Sequence, residues 1–304
     1  MTASRAGEWR TIVLAGAVHI GWLMVVTVHS HIAWWLAIPL LAVIVAQHGS
    51  LQHEVLHGHP FRDQRLNNAL GSVPIALRLA YPVYRRYHLL HHRCEFLTDP
   101  FEDAESYYFD AETWRRFPRV VRWFWIAHNT MVGRLVLGPA CETIAVYRWQ
   151  WREIRAGDRQ LARWWASHFA RAALVLAFVI AMGFPLWVYL VGMYAGHSLS
   201  LVRSFSEHRW VSEDGARTAM VRAGPFWAFL FLNNNLHLTH HVRPEVAWYR
   251  LPALAEELGS DEVAAGDAGL YRGYWDVLWR YGVKPIDHPL HPRDRASVGE
   301  AVTG

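Results

Sequence analysis

Residues 32–57 read IAWWLAIPLLAVIVAQHGSLQHEVLH, an apolar run that closes on two histidines four residues apart. From residue 32 to residue 53, 22 positions pass without an Asp, Glu, Lys or Arg. At 1.5 Å of rise per residue, one helix of that length covers a hydrocarbon core of about 30 Å. Residues 11–28, 18 positions, are equally free of formal charge. A secretory leader would be shorter and would end at a small-residue cleavage site, whereas here the second run follows at once. The pair is expected to form a transmembrane hairpin turning at His29-Ser30-His31.

A second pair lies further on. Residues 172–202 hold 31 uncharged positions, which as one straight helix would span roughly 46 Å, too long for a single crossing. Gly183-Phe184-Pro185 interrupts the run, and proline removes a donor and clashes with the preceding turn. The expected spans are therefore about 11–29, 32–53, 162–182 and 185–204. Arg171, partway into the third, is placed to snorkel to the surface or to face a partner. Both outer turns lack Arg and Lys, while basic residues crowd the N-terminus, residues 62–163 and the chain after Arg203. Positive residues stay on the cytoplasmic side, so both hairpins are expected to open inward. Trp34, Trp35, Trp164, Trp165 and Trp187 would lie near the interfaces.

Composition agrees with a membrane chain. Of 304 residues, 53% are hydrophobic and 18% charged, against about 25% charged in soluble domains. Two cysteines, Cys94 and Cys141, exclude a disulfide framework and a four-cysteine metal site. The net charge of +4 is nearly all arginine, since Lys284 is the only lysine; topology accounts for that excess without nucleic acid. Residues 68–84, broken by Pro74, Arg78 and Pro82, read as an interfacial segment. Residues 123–147 are expected at the cytoplasmic surface, and 271–279 as a short amphipathic helix. The fold class is all-α integral membrane: four transmembrane helices in two hairpins, with a cytoplasmic helical cap. One domain is expected over 1–283, followed by a flexible tail over 284–304.

Nineteen histidines are the remaining oddity, and eight fall in three clusters. These are His53-Glu-Val-Leu-His57, His88-Leu-Leu-His91-His92 and His237-Leu-Thr-His240-His241. On a helix, residues three and four apart share a face, so each cluster aims its imidazoles at one point. The first caps the inner end of the second span, and the other two lie in cytoplasmic segments, so all three reach one side of the membrane. Glu207-His208 follows the fourth span and can join them; His197 is one to three turns earlier and could lie deeper. Eight or nine imidazoles exceed what one ion accepts, so two metals are implied. Imidazole suits Zn, Cu, Fe and Ni, which leaves the metal open.

On these motifs the chain resembles the membrane fatty acid desaturase superfamily. The match is carried by residues 48–57, 88–103 and 203–252, and 233–252 look like a compact bacterial branch. The resemblance implies a non-haem di-iron centre, O2 as co-substrate, and dehydrogenation or hydroxylation of an unactivated C–H bond. It carries the ligand role onto His53, His57, His88, His91, His92, His237, His240 and His241, with His208 as the additional ligand. It implies a lipid or amphipathic small-molecule substrate and a multi-pass protein of the bacterial inner membrane with its site facing the cytoplasm. No fused cytochrome b5 or rubredoxin segment is seen, so electrons are expected from a separate ferredoxin- or rubredoxin-like donor and its reductase.

Other residues carry less. Glu54 and Glu207 adjoin ligand histidines and can fix their tautomer, or be solvated helix charges. Asn233 faces the site or caps a helix. His48 and His59 read as packing or support, Asp99 and Asp103 as partners of the abundant arginines. His19, His29, His31, His128, His168, His288 and His291 show no pattern. Two rival classes remain. His53-Glu54-Val55-Leu56-His57 is also the H-E-x-x-H of zinc proteases, though that leaves both H-x-x-H-H clusters unexplained. A transporter or haem anchor would place its histidines at bilayer depth.

Overall fold

The computed structural model describes residues 8–212 and 215–298. Part of the basic N-terminal stretch and residues 299–304 of the expected tail lie outside the described residues. The chain is mostly helical. In order it forms α1 (Trp9–Thr27), α2 (Trp34–Leu56), α3 (Gln64–Gly71), α4 (Tyr81–His91), α5 (Ala111–Arg116), α6 (Arg119–His128), α7 (Met131–Arg155), α8 (Arg159–Ala181) and α9 (Leu186–Ser204). Then come β1 (Met220–Val221), α10 (Pro225–Leu230), α11 (His237–Val242), α12 (Leu251–Glu257), α13 (Ser260–Gly266), β2 (Leu270–Tyr271), α14 (Tyr274–Tyr281) and α15 (Pro292–Val298). The single domain expected over 1–283 divides into two compact units, and α4, α7, α9 and α10 contribute residues to both.

The first unit comprises residues 1–85, 139–200 and 229–232. Among the described residues, three helices are long and apolar enough to cross a membrane: α1, α2 and α8. Helix α9 begins and ends where a fourth span was expected, but Tyr189, Tyr194, His197 and Arg203 lower its hydropathy. The core gathers Trp22 and Val26 of α1, Leu41 and Val45 of α2, Val179 of α8, and Val188 and Met193 of α9. Leu36, Leu40, Leu174, Ile180, Leu190 and Val191 of the same helices are exposed, so apolar side chains face outward as well as inward. Helices α2 and α9 touch through glycine. A Cβ on Gly192 would stand 2.7 Å from the Leu41 Cβ, and one on Gly196 2.5 Å from the Val45 Cβ. This small-xxx-small spacing lets two backbones approach closely enough for dispersion contacts along their length.

Residues 72–80, expected within an interfacial stretch, are instead a non-helical passage with Ile75 and Ala80 fully buried. Its carbonyls would be costly to bury unpaired. Three helices supply donors: the Tyr189 hydroxyl to Ile75 O at 2.8 Å, His168 Nε2 to Leu77 O at 2.8 Å, and the Tyr147 hydroxyl to Arg78 O at 2.7 Å. Trp22 Nε1 in turn donates to the Tyr189 oxygen at 3.2 Å.

The second unit comprises residues 86–138, 201–228 and 233–304. The described residues are mostly helical, with a short parallel pair joining Met220 with Leu270 and Val221 with Tyr271. That pair seats the segment before α11: Asn235 Nδ2 donates to Val221 O at 2.8 Å, and Val221 N donates to Asn235 O at 2.9 Å. Met220, Leu236, Leu238, Leu251, Ala255 and Ala264 pack behind it. Of the expected tail, residues 285–298 are folded rather than loose. Ile286 N donates to Asn129 O and His291 N to Phe109 O, and Leu290 is fully buried. Burial of Ile286 and of the consecutive Pro289, Leu290 and His291 explains why a Pro-rich stretch still docks.

Candidate metal centre

Each histidine cluster sits where a helix ends. His53 lies in the last turn of α2 and His57 caps it, with ring centroids 4.9 Å apart, in the first unit. His88 and His91 close α4 and His92 follows directly, while α11 opens on His237 and carries His240 and His241. His208 comes four residues after α9, held by a bridge to Thr218.

Within the second unit, seven predicted ligands converge. The ring nitrogens of His91, His208, His237 and His241 lie within 4.8 Å of one another. His91 Nε2 is 3.0 Å and His237 Nε2 2.9 Å from His208 Nε2. Beside them, His92 Nε2 is 3.0 Å from His88 Nε2 and 3.1 Å from His240 Nε2. The rings of His92 and His241 stack at 4.2 Å and join the two groups.

The opposite nitrogens are anchored. Asp103 Oδ1 lies 2.7 Å from His91 Nδ1, Glu105 Oε1 2.9 Å from His88 Nδ1, and Asn234 Oδ1 3.2 Å from His237 Nδ1. Glu207 Oε1 approaches His237 Nδ1 at 3.3 Å, and Arg203 Nε stands 3.0 Å from the same oxygen. A neutral imidazole has one N–H. With that proton on Nδ1, facing its acceptor, the Nε2 lone pairs of His91, His88 and His237 are turned toward neighbouring histidines.

Burial acts on these groups unequally. It lowers His92 to about 2, with His88 and His91 adding to the effect, and His208 to about 3. His237 and His241 fall well below the ordinary histidine range for the same reason. Burial also opposes charge on His91, but the Asp103 hydrogen bond and the nearby carboxylates outweigh it and raise its pKa. Glu207 is pushed up to about 7 by burial, against the pull of Arg203. Glu105 is held below the usual carboxylate range although burial opposes it, because His88 faces it.

This donor set fits a bound cation. Lone pairs about 3 Å apart repel, and a set of buried neutral imidazoles cannot satisfy one another by hydrogen bonds alone. The buried His241 Nε2 and His208 Nδ1 have no hydrogen-bond partner. A borderline-soft transition ion accepts imidazole nitrogen, and acceptors on the far nitrogens fix ring orientation.

Several expectations shift. Asn233 has φ of 56° and donates to Trp248 O at 3.0 Å, while its neighbour Asn234 makes the contact to His237. Glu54 is buried on α2 in the first unit. His197 pairs with Glu142 at 3.2 Å, His59 with Glu8 at 2.9 Å, and the His48 ring lies 5.8 Å from that of His19. Asp99 pairs with Arg293 as expected, whereas Asp103 turns to His91. Sequence reasoning passed over Glu105, Asn234 and Tyr107, whose hydroxyl lies 3.2 Å from His208 O. A signal was present: residues 94–114 hold Glu95, Asp99, Glu102, Asp103, Glu105, Asp110 and Glu112 and no Arg or Lys. Acids crowded directly after a histidine cluster, with no Arg or Lys among them, are placed to serve it.

A model of the family described as fatty acid desaturase matches residues 9–275. A search of curated proteins finds no match.

Proposed function

Because the chain belongs to the fatty acid desaturase family, we propose that it is a membrane-bound, O2-dependent non-haem di-iron oxidoreductase that desaturates an acyl lipid or lipid-like substrate. The observation that carries this proposal is the convergence of His91, His208, His237 and His241 beside His88, His92 and His240. His91, His208, His237 and His241 would hold one iron. His88, His92 and His240 would hold the second, and the family resemblance also carries the ligand role to His53 and His57. Bound iron supplies the O2 chemistry that removes hydrogen from an unactivated carbon.

The chain's own residues do the rest. Asp103, Glu105 and Asn234 hold protons on Nδ1 of His91, His88 and His237, so that Nε2 of each would be the coordinating atom. Burial disfavours the charged form of His92, His208, His237 and His241, which favours the neutral imidazole a metal ion needs. We further propose four spans, with α9 joining α1, α2 and α8 as two hairpins, and a cytoplasmic site in a bacterial inner membrane. A separate ferredoxin- or rubredoxin-like protein with its reductase would deliver electrons. The zinc protease alternative uses His53, Glu54 and His57 and leaves the seven converging histidines idle.

A hydroxylase or ketolase of the same family would use the same ligands, since these outcomes differ in substrate placement. Expression with a ferredoxin system and mass analysis of cellular lipids separates them. Loss of two hydrogens marks desaturation, gain of one oxygen marks hydroxylation, and an unchanged lipid profile in an iron-loaded protein overturns the acyl-lipid assignment. Metal analysis adds a second check: one zinc and no iron per chain supports the protease instead.

A further inference from the structure

Loop residues 103–108 do more than orient histidines. Beyond Asp103 and Glu105, two stacked phenols continue from the candidate centre. The Tyr107 hydroxyl lies 3.2 Å from the carbonyl of His208 and 3.1 Å from the Tyr108 hydroxyl. The two rings stack with centroids 4.4 Å apart. Tyr108 is buried and donates its proton to Asp287 Oδ2 at 2.5 Å, while the Trp210 backbone N–H donates to the Tyr108 oxygen at 3.3 Å. The buried His291 ring lies 5.2 Å from Tyr108 and 5.8 Å from the half-buried Trp210 ring. All of these residues belong to the second unit.

Two phenylalanines would fill this space without burying hydroxyls, which are costly to desolvate unless paired. The hydroxyls have a chemical use that packing lacks. A phenol that loses an electron becomes strongly acidic, and it is oxidised readily only where a base stands ready for its proton. Asp287 is such a base for Tyr108. The short succession from His208 to Tyr107 and Tyr108 therefore combines oxidisable rings, close contact and a proton acceptor, and the His291 ring stands between Tyr108 and the Trp210 ring.

We propose that Tyr107 and Tyr108 form a redox relay that passes single electrons from the side of the half-buried Trp210 to the metal centre held by the histidines. The relay rests on the oxidoreductase assignment above. When the O2-oxidised centre has no substrate hydrogen to remove, Tyr108 gives it one electron by way of Tyr107 and His208. The phenolic O–H proton moves to Asp287 Oδ2 and a neutral tyrosyl radical remains. One electron from an external iron–sulfur reductant, entering at Trp210, and return of the proton from Asp287 restore the phenol. One electron enters and one leaves, and the proton is conserved.

The test uses the full-length, iron-loaded, chemically reduced protein in detergent, frozen at intervals after mixing with O2 in the absence of lipid substrate. Electron paramagnetic resonance is expected to show an organic radical whose hyperfine pattern narrows when ring-deuterated tyrosine is incorporated. The signal should vanish in Tyr108→Phe and weaken in Tyr107→Phe, a milder change that removes one hydroxyl. Bound iron and oxygen consumption are measured on the same samples. Iron bound and O2 consumed with no radical in the parent protein, or an unchanged radical in Tyr108→Phe, overturns the relay alone. Absence of bound iron overturns the oxidoreductase assignment and the relay with it.

Discussion

Histidines outside the three clusters behave differently from those within them, although the residue is the same. In the first unit, His168 donates to Leu77 O, His59 pairs with Glu8 and His197 pairs with Glu142. Each of those rings meets one acceptor that a protein can supply by itself. In the second unit, His91, His208 and His237 present Nε2 to Nε2 at 2.9–3.0 Å while carboxylate or amide oxygen holds the far nitrogen of His91 and His237. A buried imidazole alone is a packing choice. Several buried imidazoles with their lone pairs turned inward make sense when a cation joins them.

The sharpest way to break this contrast is to truncate one ring from each group. His91→Ala or His240→Ala should abolish lipid oxidation and sharply reduce bound iron, whereas His197→Ala should leave iron content unchanged. Metal analysis of the purified variants decides; iron retained in both of the first two would end the site assignment. Next in size is the anchor. Asp103→Asn keeps an oxygen near His91 but removes its charge, and is expected to weaken metal affinity by about 10–100-fold. Competition with a chelator measures it.

The remaining effects concern stability. Gly196→Leu forces a side chain against Val45 and should destabilise the first unit by roughly 1–3 kcal/mol, read as a lower unfolding midpoint in detergent. His291 adds an acid response. Burial, helped by Arg293, lowers its pKa to about 4 in the folded chain. The unfolded chain, near 6.5, then binds the extra proton between those values, so stability is lost as pH falls from 6.5 toward 4. His291→Gln should remove a sensitivity worth about 2 kcal/mol at pH 5 while leaving stability near pH 8 little changed by this mechanism. Smallest is Tyr189→Phe, which leaves Ile75 O without its donor and should cost about 1 kcal/mol.

Much of this was legible in the chain itself. Charge-free runs and Gly183-Phe184-Pro185 located α1, α2, α8 and α9 to within a few residues, because the bilayer sets a length that composition must meet. Helical spacing brought out the three histidine clusters, and the position of His208 after α9 marked it as a further member. What escaped notice obeys no period. Asp103 and Glu105 reach their rings from a loop, and side chains on loops are placed by tertiary contacts that no local repeat encodes. The passage at 72–80 resembled surface because proline and arginine interrupt it. Donors from Tyr147, His168 and Tyr189, distant in sequence, help satisfy its buried carbonyls. The folded 285–298 stretch was missed for a similar reason: its apolar anchors Ile286 and Leu290 are too few to form a pattern.

Loop 103–108 also constrains how this chain can vary. Asp103, Glu105 and Tyr107 address His91, His88 and His208 from three positions spaced two apart. Losing or gaining a single residue between them would misalign at least one of the three partners at once. Homologous chains with a working centre should therefore differ here by exchange of side chains, and accommodate changes of length only on either flank.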